Sequence, residues 1–113
     1  MNHGEYKEWK ETVTKVEQMD AIAAIEEYGN QIDILIMSWP YMDDVAYRAL
    51  RRLHEVNSSA IVVYIGEGFG GCTANDNFFD HFEEIEDEYF NSVKNNYQRW
   101  FGIYDKPMIG RFV

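Results

Sequence analysis

Seven carboxylates fall within 13 residues of this chain: Asp76, Asp80, Glu83, Glu84, Glu86, Asp87 and Glu88. No Lys or Arg occurs between Leu53 and Val93, so nothing nearby in sequence neutralises them. On one helix, Asp76, Asp80, Glu83 or Glu84, and Asp87 would follow three-to-four spacing and form a single stripe. Like charges at that spacing cost an isolated helix about 0.2–0.5 kcal/mol per pair, offset in part by the favourable field at a helix N-terminus. The chemistry on offer is electrostatic. A row of fixed anions imitates a phosphate backbone and suits a basic groove.

A second stretch, Ala60-Ile-Val-Val-Tyr-Ile-Gly-Glu-Gly-Phe-Gly-Gly71, places Gly66, Gly68 and Gly71 in the spacing G-x-G-x-x-G. Such glycines let a backbone approach a pyrophosphate at a helix N-terminus. A dinucleotide site also needs an acid about 20 positions later at the end of the next strand. Here the acids at that distance, Glu86 and Glu88 among them, belong to the carboxylate stretch, and Glu67 and Asp76 would repel phosphate. A tight turn after a buried strand accounts for the same glycines. Neither Ser38 nor the lone cysteine, Cys72, has a base nearby in sequence, and no G-x-S-x-G elbow surrounds Ser38. A single cysteine excludes an internal disulfide framework. His3, His54 and His81 lack the spacing that puts two metal ligands on one helical face. The chain therefore predicts no catalytic residue, no metal site and no cofactor.

The elements that must position these groups follow from hydrophobic periodicity. With 113 residues and 46% hydrophobic content, one domain spanning 1–113 is expected. Residues 12–16 read as a short strand. A helix follows with Ile22, Ile25 and Tyr28 on one face, capped by Asp20 and stopped by Gly29. Residues 32–38 form a buried strand, 43–56 an amphipathic helix, and 61–65 a parallel strand. Phe78, Phe82, Ile85, Tyr89 and Val93 predict one long acidic helix, and 97–104 with 108–113 predict an antiparallel hairpin about Pro107. The expected fold is α/β, in two or three layers, with a sheet of about five strands, mostly parallel and closing in that hairpin. Trp39, Tyr41, Phe69, Phe78, Phe79, Trp100, Phe101 and Tyr104 exceed what so small a core holds, so some are expected at an interface, with a second copy of the chain as one candidate partner.

The run Asp33-Ile-Leu-Ile-Met-Ser-Trp-Pro-Tyr41, then a helix, the strand Val-Val-Tyr-Ile-Gly-Glu-Gly and a closing hairpin, resembles the C-terminal half of class I S-adenosylmethionine-dependent methyltransferases. In that family a strand ends in a D-P-P-Y-like or N-P-P-Y-like motif beside the cofactor. Ser38, Trp39, Pro40 and Tyr41 hold the corresponding place, with Pro40 and Tyr41 matching and a serine in place of the acid or amide. The resemblance covers residues 12–113 and omits the first two strands with their glycine loop. It implies a truncated Rossmann-like scaffold whose vestigial pocket, at Ser38, Trp39, Pro40 and Tyr41, has lost its grip on the cofactor.

A formal net charge of −10 disfavours direct binding to nucleic acid, whose affinity rests on Lys and Arg. The apolar runs fall short of the roughly 20 residues of a membrane helix, so a soluble protein in the cytoplasm of a bacterial host is expected. In general character the chain resembles the small acidic anti-CRISPR inhibitors of phages and mobile elements. That resemblance implies a non-catalytic protein whose carboxylates occupy a basic channel on an RNA-guided nuclease and compete with guide RNA or DNA. The alternative is a methyltransferase-like protein or enzyme fragment.

Overall fold

The computed structural model describes residues 14–99 and 101–113. Helix α1 (Ala21–Tyr28) starts where Asp20 accepts hydrogen bonds from the Ile22 and Ala23 N–H groups, at 3.1 and 3.2 Å, satisfying two donors that a helix leaves unpaired. It ends at Gly29, whose N–H donates to the Ile25 carbonyl. A 3₁₀ turn (Gly29–Gln31) leads to β1 (Ile34–Ser38). Helix α2 (Val45–Val56) then buries Ala46, Ala49, Leu50 and Leu53, the one-sided spacing that binds a crossover helix to its sheet. It delivers the chain to β2 (Ile61–Glu67), which pairs parallel with β1 from Ile34 opposite Ile61 to Ser38 opposite Ile65. The Asn57 side chain locks the unit by donating to the carbonyls of Gly29 (3.0 Å) and Ile32 (2.9 Å).

The rest of the chain completes one sheet of order β1-β2-β4-β3. Strand β4 (Asp105–Phe112) runs antiparallel to β2, and the three-residue β3 (Phe82–Glu84) runs antiparallel to β4. Pro107, which has no N–H to give, lies in the part of β4 that β3 does not reach. The helical layer covers one face. Val62 and Tyr64 of β2 are buried against α2, together with Leu50, Leu53, Met37 and Met108. Each fully buried large apolar side chain contributes roughly 1.5–3 kcal/mol. Phe78, Phe79 and Phe82 gather around the Tyr64 ring with centroid separations of 5.0, 5.6 and 6.3 Å.

Three expectations change. The sheet has four strands among the described residues, not five, and only β1 and β2 are parallel. The long acidic helix does not form. Instead the chain makes α3 (Asp76–Asp80), β3 and α4 (Glu88–Lys94). Asn75 caps α3 by accepting from the Phe78 N–H, and a second cap within the stretch, Asp87 accepting from the Tyr89 N–H, opens α4 as a separate helix. The outer edge of β4 supplies the intervening strand with partners, and the Ile85 N–H continues past it to the Ile109 carbonyl at 2.8 Å. The expected hairpin also fails, because the described residues of 97–104 make no strand and β4 pairs with β2 and β3. Thr12 and Val13 of the expected first strand lie outside the described residues, and 14–16 are not in a strand.

Gly66 and Gly68 separate cleanly. Neither has a positive φ. A Cβ on Gly66 would stand 2.6 Å from the Thr73 hydroxyl and 2.8 Å from the Tyr64 hydroxyl, whereas one on Gly68 would meet nothing within 4 Å. Gly66→Ala is expected to cost about 1–3 kcal/mol through overpacking, and Gly68→Ala to leave the denaturation midpoint unchanged within about 0.5 kcal/mol. Paired urea melts read both.

Candidate functional site

Among the described residues, two other than glycine have a positive φ: Trp39 (φ 50°), directly after β1, and Ala74 (φ 57°), in the loop between β2 and α3. Each such residue costs of order 1–3 kcal/mol and persists only where its surroundings hold it. The Trp39 N–H donates to the Ile65 carbonyl at 2.7 Å, extending the parallel ladder one residue past Ser38. The Ala74 N–H is shared between the carbonyls of Pro40 (3.4 Å) and Tyr41 (3.2 Å), tying the loop after β1 to the loop after β2. Ser38, Trp39, Pro40 and Tyr41 thus form an ordered rim at the strand ends. This is where open α/β sheets bind ligands.

The Trp39 indole N–H reaches across the sheet end to the Asp105 carboxylate, donating to Oδ2 at 3.2 Å. The Tyr97 hydroxyl donates a short hydrogen bond to the same oxygen. Asp105 is only 6% exposed, and its Oδ1 is buried with no hydrogen-bond partner among the described residues. Its hydrogen bond to Tyr97 pushes the Tyr97 pKa above the usual 10. Beside this group lies a polar cleft of about 270 Å³, lined by Glu84, Lys94, Arg99 and Lys106 as well as Tyr97 and Asp105. Trp39, a predicted site residue, therefore has two partners, Tyr97 and Asp105, that sequence reasoning placed in the hairpin. Asp105 lies 66 positions from Trp39, and only the β2–β4 register, Glu67 opposite Asp105, brings them together.

The glycine loop is occupied by the protein's own anion. Glu67 Oε1 accepts from the Cys72 N–H at 2.8 Å, and Oε2 from the Tyr104 N–H at 3.2 Å. One loop amide, that of Cys72, thus faces this carboxylate. Thr73, fully buried, accepts from the Glu67 N–H at 2.9 Å and shares a short hydrogen bond with Tyr64. Cys72 is exposed, and the neighbouring Glu67 carboxylate raises its thiol pKa, which holds it protonated and poorly nucleophilic at neutral pH.

The amides of Cys72 and Tyr104 hold the Glu67 carboxyl below the ordinary 4.5. A pKa depressed by folding contributes stability above the unfolded value, and that contribution disappears as pH falls through the folded value. Glu67→Gln is therefore expected to destabilise the protein at neutral pH and to weaken the loss of stability on acidification below about pH 4.5. Denaturant melts at stepped pH give both readings.

All seven stretch carboxylates are exposed, now on three elements: Asp76 and Asp80 on α3, Glu83 and Glu84 on β3, Glu86 and Asp87 in the connection, Glu88 opening α4. The single helical stripe is thus replaced by a chain-following series. None of the seven forms an ion pair among the described residues; the described pairs are Lys15–Glu17, Arg51–Glu55, Arg52–Glu26 and Arg52–Glu55. Asp87 has a structural duty as the cap of α4.

Of the surplus aromatics, Phe78 is fully buried and Phe79 half-buried, whereas Trp39, Tyr41, Phe69, Phe101 and Tyr104 are exposed; Trp100 lies outside the described residues. His54 and His81 pack on the Phe112 ring at 5.3 and 5.5 Å, and no group of three potential metal ligands occurs among the described residues. None of the described helices is long and apolar enough to cross a membrane. In comparisons with known proteins, no family model, no curated protein and no solved structure matches this chain.

Proposed function

We propose that this protein is a non-catalytic acidic binding protein that enters a basic nucleic-acid channel, that of an RNA-guided nuclease in the first instance, and competes there with guide RNA or DNA. The observation that carries the reading is the run of seven exposed carboxylates over residues 76–88, none ion-paired among the described residues, on a chain of net charge −10. Unpaired exposed anions lose little on meeting a cationic groove, and they speed encounter through long-range attraction. Binding of this kind weakens as salt shortens the screening length to about 8 Å at physiological ionic strength. The test is capture of guide-free and guide-loaded nuclease over a salt series. Capture of the guide-free form alone, fading with salt, supports the reading, and equal capture of both forms or capture of neither removes it.

A second reading, a methyltransferase-like remnant, is favoured by one observation: the strained Trp39 rim at the end of a parallel strand, held by the buried Asp105. Because the Glu67 carboxylate stands in the glycine loop and takes its Cys72 amide, calorimetric titration with S-adenosylmethionine is expected to show no binding. A micromolar dissociation constant would transfer preference to this second reading.

A further inference from the structure

Strand β1 stands at the end of the sheet order, so no described strand pairs with its outer edge. Its sequence, Ile-Leu-Ile-Met-Ser, carries none of the charges or prolines with which exposed edges are protected against pairing. Ile34 and Ile36, on the face away from the helices, are 50% and 65% exposed. Parallel strands are ordinarily buried on both faces, which makes this edge an exception.

The other side of the same edge is a groove of about 390 Å³, lined by Ala21, Ala24 and Tyr28 of α1, Leu35 and Met37 of β1, and Val45 of α2. Ala21, Ala24 and Tyr28 follow the i, i+3, i+7 spacing of a helix-packing stripe. Helix α1 buries only Ile25 within the chain. Two small residues leading that stripe allow the close approach of another helix.

We propose that β1 and this groove form the two-fold interface of a homodimer, in which the β1 strands of two copies pair antiparallel and join their sheets. With the axis at Ile36, Leu35 faces Met37 of the second copy, Ile34 faces Ser38, and Asp33 faces Trp39. No like charges oppose each other along the seam, although each copy carries a net charge of −10. The two α1 helices then lie across the seam from each other and fill both grooves. The exposed parts of Tyr28, Ile34, Ile36 and Val45 amount to about two whole side chains. At roughly 150–250 Å² for each large side chain, that is on the order of 300–500 Å² per copy. With the strand backbones added, the interface stays below the ~800 Å² that each partner gives to a standard-size complex, the size class of weak, reversible association.

Sedimentation equilibrium of the full chain over a dilution series tests the interface. A reversible dimer is expected, unchanged or tighter at high salt because screening relieves the repulsion between the copies. Nuclease capture should weaken over the same salt range, so the two proposals fail separately. Ile36→Lys, which places an unpaired charge in the seam, is expected to weaken the dimer about a hundredfold or more. Ala21→Arg, on the α1 stripe, is expected to act in the same direction. Far-ultraviolet circular dichroism and the melting midpoint should match the parent for both, since both side chains are exposed in one copy. A monomeric parent chain would overturn the proposal and leave the groove to a strand from a different polypeptide. A dimer unaffected by both substitutions would overturn it as well.

Discussion

Gly110→Ala is expected to be the most damaging single-methyl substitution in the chain, lowering stability by about 3 kcal/mol or more. A Cβ at this position would lie 2.3 Å from the Glu83 carbonyl oxygen and 2.7 Å from the Phe82 ring. The first contact is with backbone, which cannot rotate aside as a side-chain tip can. Gly110 pairs with Val62 on one side and Glu84 on the other, so a displaced β4 would lose register with both neighbours. Against a total of roughly 5–15 kcal/mol for a typical domain, such a loss lowers the melting midpoint by more than 10 °C, at about 4 °C per kcal/mol for a domain of this size. Circular dichroism melts of the parent and of Gly110→Ala check this, with Gly68→Ala as the neutral control.

The second large effect concerns recognition and is expected to leave the fold alone. Asp80, Glu84 and Glu86 are exposed, lie on α3, β3 and the connection, and cap no helix. Reversing all three to Lys moves the formal net charge from −10 to −4, two charges per substitution. If the carboxylate series carries the binding, capture of guide-free nuclease at low salt should fall by several kcal/mol in total, and the remaining binding should depend less on salt. Asp87 is left out because its carboxylate caps α4; losing a cap costs about 1 kcal/mol and would mix a folding effect with a binding one. Unchanged capture by the triple variant would place the binding energy elsewhere on the protein.

The parts legible from sequence were those set by nearby residues. Asp20 caps α1 two and three residues on, and Ala49, Leu50 and Leu53 mark the inner face of α2 within five positions. The stretch from Phe78 to Val93 misled because a three-to-four pattern continued through it. The cap that Asp87 gives α4 interrupts that pattern, and the pairing of Phe82 with Phe112, which spans 30 positions, outweighs it. The site divides in the same way. That Ser38, Trp39, Pro40 and Tyr41 end a strand was readable, whereas the partnership of Trp39 with Asp105 depends on how β4 aligns with β2. Glu67 was visible as an unsuitable neighbour for phosphate, and the fold makes it the anion that the loop holds.

The strand latest in sequence is interior to the sheet, between β2 and β3. On a ribosome, β1, α2 and β2 can assemble as soon as they emerge, but β3 has no neighbour to join until residues 105–112 arrive. Until then the inner edge of β2, with its Ile-Val-Val-Tyr-Ile run, is an open template for pairing with other nascent chains. The interval between synthesis of Glu67 and of Phe112 is thus the period when this protein most needs a chaperone, and slower translation across that span should raise the aggregated fraction.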